Sequence, residues 1–456
     1  MPSAIVNRVE RGRYLDSVAL MQLSRRLASV PGIEDAALMI GTPSNKALLR
    51  DAGLLDAEGE AAGVNDIVMA VRARDEGAAR AALADAFQSP AAKGASALAH
   101  ARSLRGALDA LSHANLAVIS VPGEFAAHEA RKALAAGLNA LVFSSGVPLE
   151  EERALKVTAR EKGLLLMGPD CGTALIAGTP VAFANAVPRG DIGIVSASGT
   201  GLQEVSCLIA RMGGGVSHGI GVGGRDLDER VGALGTLAAI DALDADAATR
   251  TIVLISKPPA PAVADEVLAR LSRSAKGSVV CFLGFDRPGL AASLREAAEM
   301  ATGRTVSAEP PKLDKVKGRV VGLYCGGTLC SEAEIIFGRL GLSGHRFVDL
   351  GNDQYTRGRP HPMIDPELRN EHVARAMADR TVGALLVDVV LGFGSHRDPA
   401  GVLLKTKLSK PVVASVTGTD DDPQSRALQV ARLRGAGVTV APSNAHAAEW
   451  AAALVH

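Results

Sequence analysis

The sequence predicts an α/β protein made mainly of parallel-sheet domains, with a small α+β unit ahead of them. Three observations carry this. First, Ile192 to Ala197 is a short apolar run, Ser198-Gly199-Thr200-Gly201 is a turn that small residues make easily, and Leu202, Val205, Ile209 and Met212 follow at helical spacing. Second, the same strand, glycine turn and helix recur at Arg319 to Cys325, Gly326-Gly327-Thr328 and Leu329, Ala333, Ile336, Phe337 and Leu340. An offset of 128 positions sets Thr200 on Thr328, Gly213 on Gly341 and Gly223 on Gly351, and an offset of 134 sets Val279 on Val413, Gly284 on Gly418 and Asp286 on Asp420. Such a register marks an internal duplication. Third, strands and helices alternate from Leu116 onward.

In chain order, residues 1–88 read as strand Ile5–Val9, helix Leu15–Leu27, strand Ala36–Ile40, helix Asn45–Leu54, strand Ile67–Val71 and helix Glu76–Ala86, an order that suggests a ferredoxin-like fold. Ser44 or Asn45 is placed to cap the second helix. Ser89 to Ser103, rich in Ala and small polar residues, reads as a linker. Strand Leu116–Val121, helix Ala126–Ala136, strand Ala140–Phe143, helix Glu150–Glu161 and strand Leu164–Gly168 then make about half of a Rossmann-like domain. It lacks the glycine-rich turn that brings backbone N–H groups onto a pyrophosphate.

Bulk properties narrow the function. Lys plus Arg equals Asp plus Glu at 49 each and aromatics are 3%, which leaves neither a basic excess nor stacking groups for nucleic acid. The longest apolar candidate, Gly383 to Gly392, is broken by Asp388 and falls short of a membrane span. Five cysteines without paired metal spacing, and no signal peptide at the start, lead us to expect a reducing cytoplasm and no metal.

The run LAVISVPGEFAAHEARKALAAGLNALVFSSGVPLEEERALKV, followed by LLLMGPDCG, IGIVSASGTG and GIGVGG, resembles the α subunit of succinyl-CoA synthetase and the wider nucleotide-forming acyl-CoA synthetases, over about Leu116 to Gly284. The stretches GIGVGGRDL, LGNDQYTRGRPHPMIDP and LGFGSHRDPA resemble the FdrA family, acyl-CoA-synthetase-like proteins associated with oxamate carbamoyltransferase in allantoin breakdown. These resemblances imply a ferredoxin-like unit (residues 1–88), a partial CoA-binding-like Rossmann domain (residues 108–188) and two duplicated flavodoxin-like, succinyl-CoA synthetase-like domains (residues 190–305 and 318–456). They also imply that Ser198, Gly199 and Thr200 start a helix that holds a phosphoryl group, and that Gly326, Gly327 and Thr328 fill the facing place.

Two departures set the chemistry. The synthetases carry a histidine in the loop after the strand Ser278 to Leu283, where this chain reads GFDRPGLAASLREAAEMA. The glutamates that would orient it are missing from Ser256-Lys257-Pro258-Pro259. A phosphohistidine route therefore lacks its carrier, and the missing turn argues against coenzyme A. A pocket for free phosphate remains.

Each helix start contributes ~0.3 to 1 kcal/mol to anion binding, or ~2 when partly buried, so two give at most about 4 kcal/mol. Millimolar affinity takes about 4.1 kcal/mol, so added donors are needed. Arg225 after Gly223-Gly224, Arg359 and Arg397 are the candidates, since a guanidinium matches phosphate in a bidentate way. Asn352-Asp353, Gly392-Phe393-Gly394 and Gly418-Thr419-Asp420-Asp421-Asp422 follow strands, where open parallel sheets bind ligands. His396 with Asp398 is the candidate acid–base pair beside Arg225, and His361 joins the candidate substrate-binding residues.

The FdrA resemblance implies a carbamoyltransferase subunit in which phosphate attacks the carbamoyl carbon of oxalurate, giving carbamoyl phosphate and oxamate. It also implies other subunits as partners and an oligomer. No cofactor is assigned beyond phosphate or carbamoyl phosphate as ligand. Two alternatives stand beside it: an acyl-CoA synthetase or ligase, and a noncatalytic scaffold or regulatory subunit.

Overall fold

The structure, a computed structural model, describes residues 3–12, 15, 17–86, 101, 103–306, 308–309, 311–312, 314–356 and 360–455. Two units result, one made of the described residues of Met1–Ala114 with Ser120–Pro122 and Asp353–Pro360, the other of the remainder. In the first, β1 (Ala4–Glu10), β2 (Ile33–Ile40) and β3 (Ile67–Ala73) form an antiparallel sheet in the order β1-β3-β2. The central strand β3 is buried on both faces. Ile67, Met69 and Val71 pack with Leu20, Leu23 and Leu83, while Val68 and Ala70 pack with Leu49 and Leu54, as the two-residue period of a strand requires. This is the ferredoxin-like order. The helix expected from Asn45 begins earlier, at Pro43, because Thr42 rather than Ser44 or Asn45 is its cap, accepting from Asn45 N at 3.3 Å.

The second unit holds three sheets. The parallel strands β4 (Leu116–Ile119), β5 (Asn139–Val142) and β6 (Leu166–Met167) alternate with helices Gly123–Ala135 and Leu149–Glu161. A hairpin follows, β7 (Thr173–Ile176) and β8 (Thr179–Ala182), turned by Ala177 and Gly178 at φ of 50° and 81°. Positive φ at both turn residues is the geometry that suits a two-residue hairpin. The hairpin joins the edge of β9 (Ile192–Ser196), β10 (Val216–Gly221), β11 (Thr251–Ser256) and β12 (Gly277–Phe282), in the order β12-β11-β9-β10-β7-β8. The last sheet, β13 (Arg319–Tyr324), β14 (Arg346–Asp349), β15 (Val382–Val390), β16 (Val412–Thr417) and β17 (Thr439–Ala441), runs β14-β13-β15-β16-β17. Its first four strands repeat the order of β9 to β12, so the duplication read from spacing is a duplication of topology.

The two copies share one core. Val205 and Leu208 of helix Gly199–Arg211, Ala297 of helix Leu294–Thr302, Phe337 of helix Gly327–Arg339 and Trp450 of helix Asn444–Ala453 lie in the same buried cluster. Across it the copies exchange helix caps. Glu204, fully buried in the first copy, accepts from Asn444 N at 2.9 Å and from the Thr417 hydroxyl, both in the second. Glu332, its equivalent 128 positions on, accepts from Leu294 N at 2.7 Å in the first copy and from Asn444 Nδ2 at 2.8 Å. Orphan N–H groups at two helix starts are thereby satisfied by carboxylates from elsewhere in the chain.

Candidate functional site

The two glycine turns meet. Ser198 caps the helix Gly199–Arg211 by accepting from Gly201 N at 2.9 Å, and its hydroxyl donates to Thr328 Oγ1 at 2.6 Å. A β-carbon at Gly326 would lie 2.9 Å from Thr200 Cγ2, and one at Gly199 would lie 2.9 Å from Thr173 Oγ1. Glycine is needed there by close approach. Ser198, Gly199, Thr200, Gly326, Gly327 and Thr328 thus form one cluster made of two helix starts, with Gly199, Thr200 and Gly327 partly accessible. First-turn N–H groups lack intrahelical acceptors, and the dipoles of both helices place positive potential at this junction.

The second turn is built differently from the first. The Asp388 carboxylate, on β15 and fully buried, accepts from Cys325 N and Gly326 N, both at 2.7 Å. Arg369, also buried, faces it at 3.4 Å and donates to the Asp388 carbonyl. Burial pushes the Asp388 carboxyl up to about 6, while Arg369 and the two N–H groups pull the other way. Asp349, at the end of β14, stands 2.5 Å from where a Gly327 β-carbon would be and accepts from Gly351 N at 2.9 Å. Burial raises its carboxyl too, and the Lys257 ammonium opposes that rise. Lys257 is exposed in the loop after β11 and has no ion-pair partner among the described residues. The nearby Cys325 thiol is pushed up to about 12 by burial, so it supplies no thiolate at neutral pH.

Other expected residues fall in three groups. His361 belongs with the second turn, since a β-carbon at Gly351 would lie 2.6 Å from its Nε2 and 2.7 Å from the Cys325 carbonyl. Its Nδ1 accepts from Met363 N at 3.2 Å, which leaves the proton of the neutral ring on Nε2, and burial drives its pKa down to about 4. Asn352 is exposed beside this turn, its N–H donating to Asp349 O at 3.3 Å. Gly223 packs on Gly168-Pro169, and Gly224 lies 3.8 Å, by its missing β-carbon, from Ala197 O at the first turn.

A second group is committed elsewhere. The Arg225 guanidinium donates to Val147 O at 2.8 Å and pairs with buried Glu152 at 2.7 Å. Glu152 continues through Lys156 at 2.7 Å to Asp226 at 2.8 Å, which caps helix Leu234–Ala245 through Gly235 N and Thr236 N. The expected phosphate arginine is thus an anchor for the loop beneath Gly223-Gly224. Asp398 corrects the expected acid–base pair in the same way. Its carboxylate caps helix Pro399–Leu403 through Gly401 N at 3.1 Å and pairs with Arg432, and the bond between the two residues runs from Asp398 N–H to His396 Nδ1 at 3.0 Å. Gly392 and Gly394 close on Ala184 and Phe183, each at 2.6 Å from a missing β-carbon, and Asp422 binds Asn185 Nδ2 at 2.7 Å and Ala186 N at 2.8 Å. These strand-end loops therefore clamp the segment that follows β8. Arg397 is exposed.

The third group cannot be joined to the turns. Asp353 opens the short helix Asp353–Thr356, and Arg359 lies outside the described residues. The sequence reading missed Asp388, Arg369, Asp349 and Lys257. Asp388 carried a signal, as the one charged residue within the apolar strand Val382–Val390.

Residues 323–454 match the CoA-ligase family. Residues 3–103 match a family described as AllF, heavy metal-associated domain. That segment contains no cysteine, and among the described residues no group of three His, Cys, Asp or Glu side chains is placed to hold an ion, so the residues do not fit a heavy-metal site. No described helix is long and apolar enough to cross a membrane. The α subunit 2 of the ADP-forming succinate–CoA ligase of Archaeoglobus fulgidus is 28% identical over 32% of this chain, which spans 50% of that subunit's length. The dinucleotide-forming acetyl-coenzyme A synthetase 1 of Ca. Korarchaeum cryptofilum superposes loosely, at 20% identity and a TM-score of 0.31, over 75% of this chain and 82% of its own. The uncharacterized protein YahF of Escherichia coli is 40% identical over 96% of both chains, and this chain belongs to the same family as YahF.

Proposed function

We propose that the chain is the FdrA-type subunit of a carbamoyltransferase that works by phosphorolysis. A phosphate oxygen attacks the carbamoyl carbon of oxalurate, the carbon–nitrogen bond breaks, and the nitrogen leaves with a proton as oxamate while carbamoyl phosphate forms. The observation that carries this reading is the contact of the two glycine turns through Ser198 and Thr328. The first helix start, which no carboxylate contacts among the described residues, takes the phosphate on its backbone N–H groups. Lys257 supplies the cation that the dipoles need, in the loop where the synthetases place their glutamates. Asp349, whose carboxylate stands beside Gly327 at the junction, is the group we assign to proton delivery to the leaving nitrogen. Preorganised donors of this kind stabilise developing charge without a covalent enzyme intermediate. The AllF match of the first domain supports a role in allantoin-related metabolism, and the naming of the ligase relatives as subunits supports partner chains.

A second reading, an acyl-CoA ligase subunit, is favoured by the CoA-ligase match of residues 323–454. Calorimetric titration of the full chain with phosphate, carbamoyl phosphate and coenzyme A separates the two, repeated with Gly199→Val and Gly327→Val. Phosphate or carbamoyl phosphate binding that fails in both variants supports the carbamoyl reading and leads to a phosphorolysis assay with partner subunits. Coenzyme A binding without phosphate binding overturns it in favour of the ligase. Silence from all three overturns the pocket in the isolated chain and favours a scaffold.

A further inference from the structure

A second concave site lies away from the glycine turns. Arg319, Arg346 and Val382 are the first residues of β13, β14 and β15, whereas the glycine turns follow the last residues of β9 and β13. Arg319, Val321 and Leu323 alternate along β13, and Arg346 and Val348 along β14, so the period of two turns them to one face of the sheet. Helix Glu367–Ala378 packs over β13 and β15 and, with the residue that follows it, brings His372, Arg375, Ala376 and Asp379 to the same place at helical spacing. Between helix and strands is a cavity of 160 Å³.

Its chemistry is divided. The floor of Val321, Leu323, Val348 and Ala376 is buried and apolar. The rim carries three guanidinium groups against one carboxylate, Asp379, which is held by Arg319 at 2.9 Å. Arg375 reaches Glu371 only at 3.5 Å on the exposed side of the helix. Arg346 is exposed, and no carboxylate partner exists for it among the described residues. His372 reports the resulting field: its pKa is lowered by burial first and then by Arg375 and Arg346, with Glu371 acting in the opposite direction. A basic rim over an apolar floor selects a molecule with both characters. A free phosphate would leave the floor uncovered, and a neutral aliphatic would leave Arg346 unpaired. The volume is far below the ~300 to 1,000 Å³ of pockets for drug-sized ligands, so the body must be short.

We propose that this cavity binds a small organic carboxylate with a short aliphatic body, its head on Arg346 and Arg375 and its carbon chain against Val321, Leu323 and Val348. The site stands apart from the anion junction at the glycine turns and does not depend on its reading.

The test is calorimetric titration of the full chain with butyrate, with butanol and inorganic phosphate as companion probes. Butyrate should saturate at millimolar concentration, with butanol at least about tenfold weaker, and phosphate, titrated into Gly199→Val so that the glycine-turn junction does not contribute, at least about tenfold weaker as well. Arg346→Gln, an exposed change that leaves the core untouched, should weaken butyrate about tenfold or more, as loss of a charge-assisted bidentate contact does. Val348→Phe should abolish it by filling the floor. Gly199→Val should leave butyrate binding unchanged. Failure of butyrate to saturate, equal binding by Arg346→Gln, or loss of butyrate in Gly199→Val would each overturn the proposal.

Discussion

Replacing Glu332 by glutamine probes the shared core directly. Glu332 is buried between the two copies, and burial, with the nearby Glu204 charge adding to it, pushes its carboxyl up to about 7, against the pull of Asn444 and Leu294 N–H. A carboxyl whose folded pKa lies above its unfolded one holds its proton more tightly in the native state. Between about pH 4.5 and 7 the native chain keeps a proton that the unfolded chain has released, so stability falls as pH rises. From pH 5 to pH 8 the loss from this one group is about 2 to 3 kcal/mol. Glutamine keeps the shape and the acceptor for Leu294 N but cannot ionise. Stability of Glu332→Gln relative to the parent should therefore shift by about that amount toward the variant between pH 5 and pH 8. Trp450, the one tryptophan, is buried in the helix that Glu204 caps, so its fluorescence during urea unfolding reports on this region. Parent and variant midpoints that stay parallel from pH 5 to pH 8 would refute a raised carboxyl here.

Three further changes test the site. Asp388→Asn leaves the Arg369 guanidinium buried without its counter-charge and should cost about 3 to 5 kcal/mol in urea unfolding, whereas the double change Asp388→Asn with Arg369→Met should recover part of that loss. Ser198→Ala removes the cap of helix Gly199–Arg211 and the bond to Thr328, at a cost of about 1 kcal/mol by the same measurement, and in calorimetry it should weaken phosphate more than the stability change explains. Lys257→Met should weaken phosphate roughly two- to fivefold with little effect on the unfolding midpoint, as its ammonium is exposed.

The strand–turn–helix copies were legible because their signal is local: glycine at a close approach and apolar residues at a fixed period. The ends of β9 and β13 fall within a residue of the run boundaries for the same reason. The hairpin β7–β8 was not read, although Ala177-Gly178 marks its turn, because its flanking strands are only four residues long. The site was legible at the glycines and not at the charged groups. Ser198 and Thr328 are 130 positions apart in sequence, and no period predicts that their hydroxyls touch. His396 and Asp398 match an acid–base pair by residue type, yet the sequence Asp398-Pro399 is also a helix start, and that local demand wins. Arg225 reads as a phosphate ligand because it follows two glycines, but Glu152, which holds it, lies on a helix far back in the chain.

The exchanged caps at Glu204 and Glu332 have a consequence for assembly. Two copies of one fold that dock through a common core would, as separate chains, associate in proportion to their concentration and fall apart on dilution. Here the segment between Thr302 and Arg319 ties them covalently, and a short tether holds two partners at an effective concentration of roughly millimolar. The junction of the two glycine turns is therefore insensitive to dilution and fixed at one of each half per chain. A cut in that segment would make the junction depend on how much protein is present.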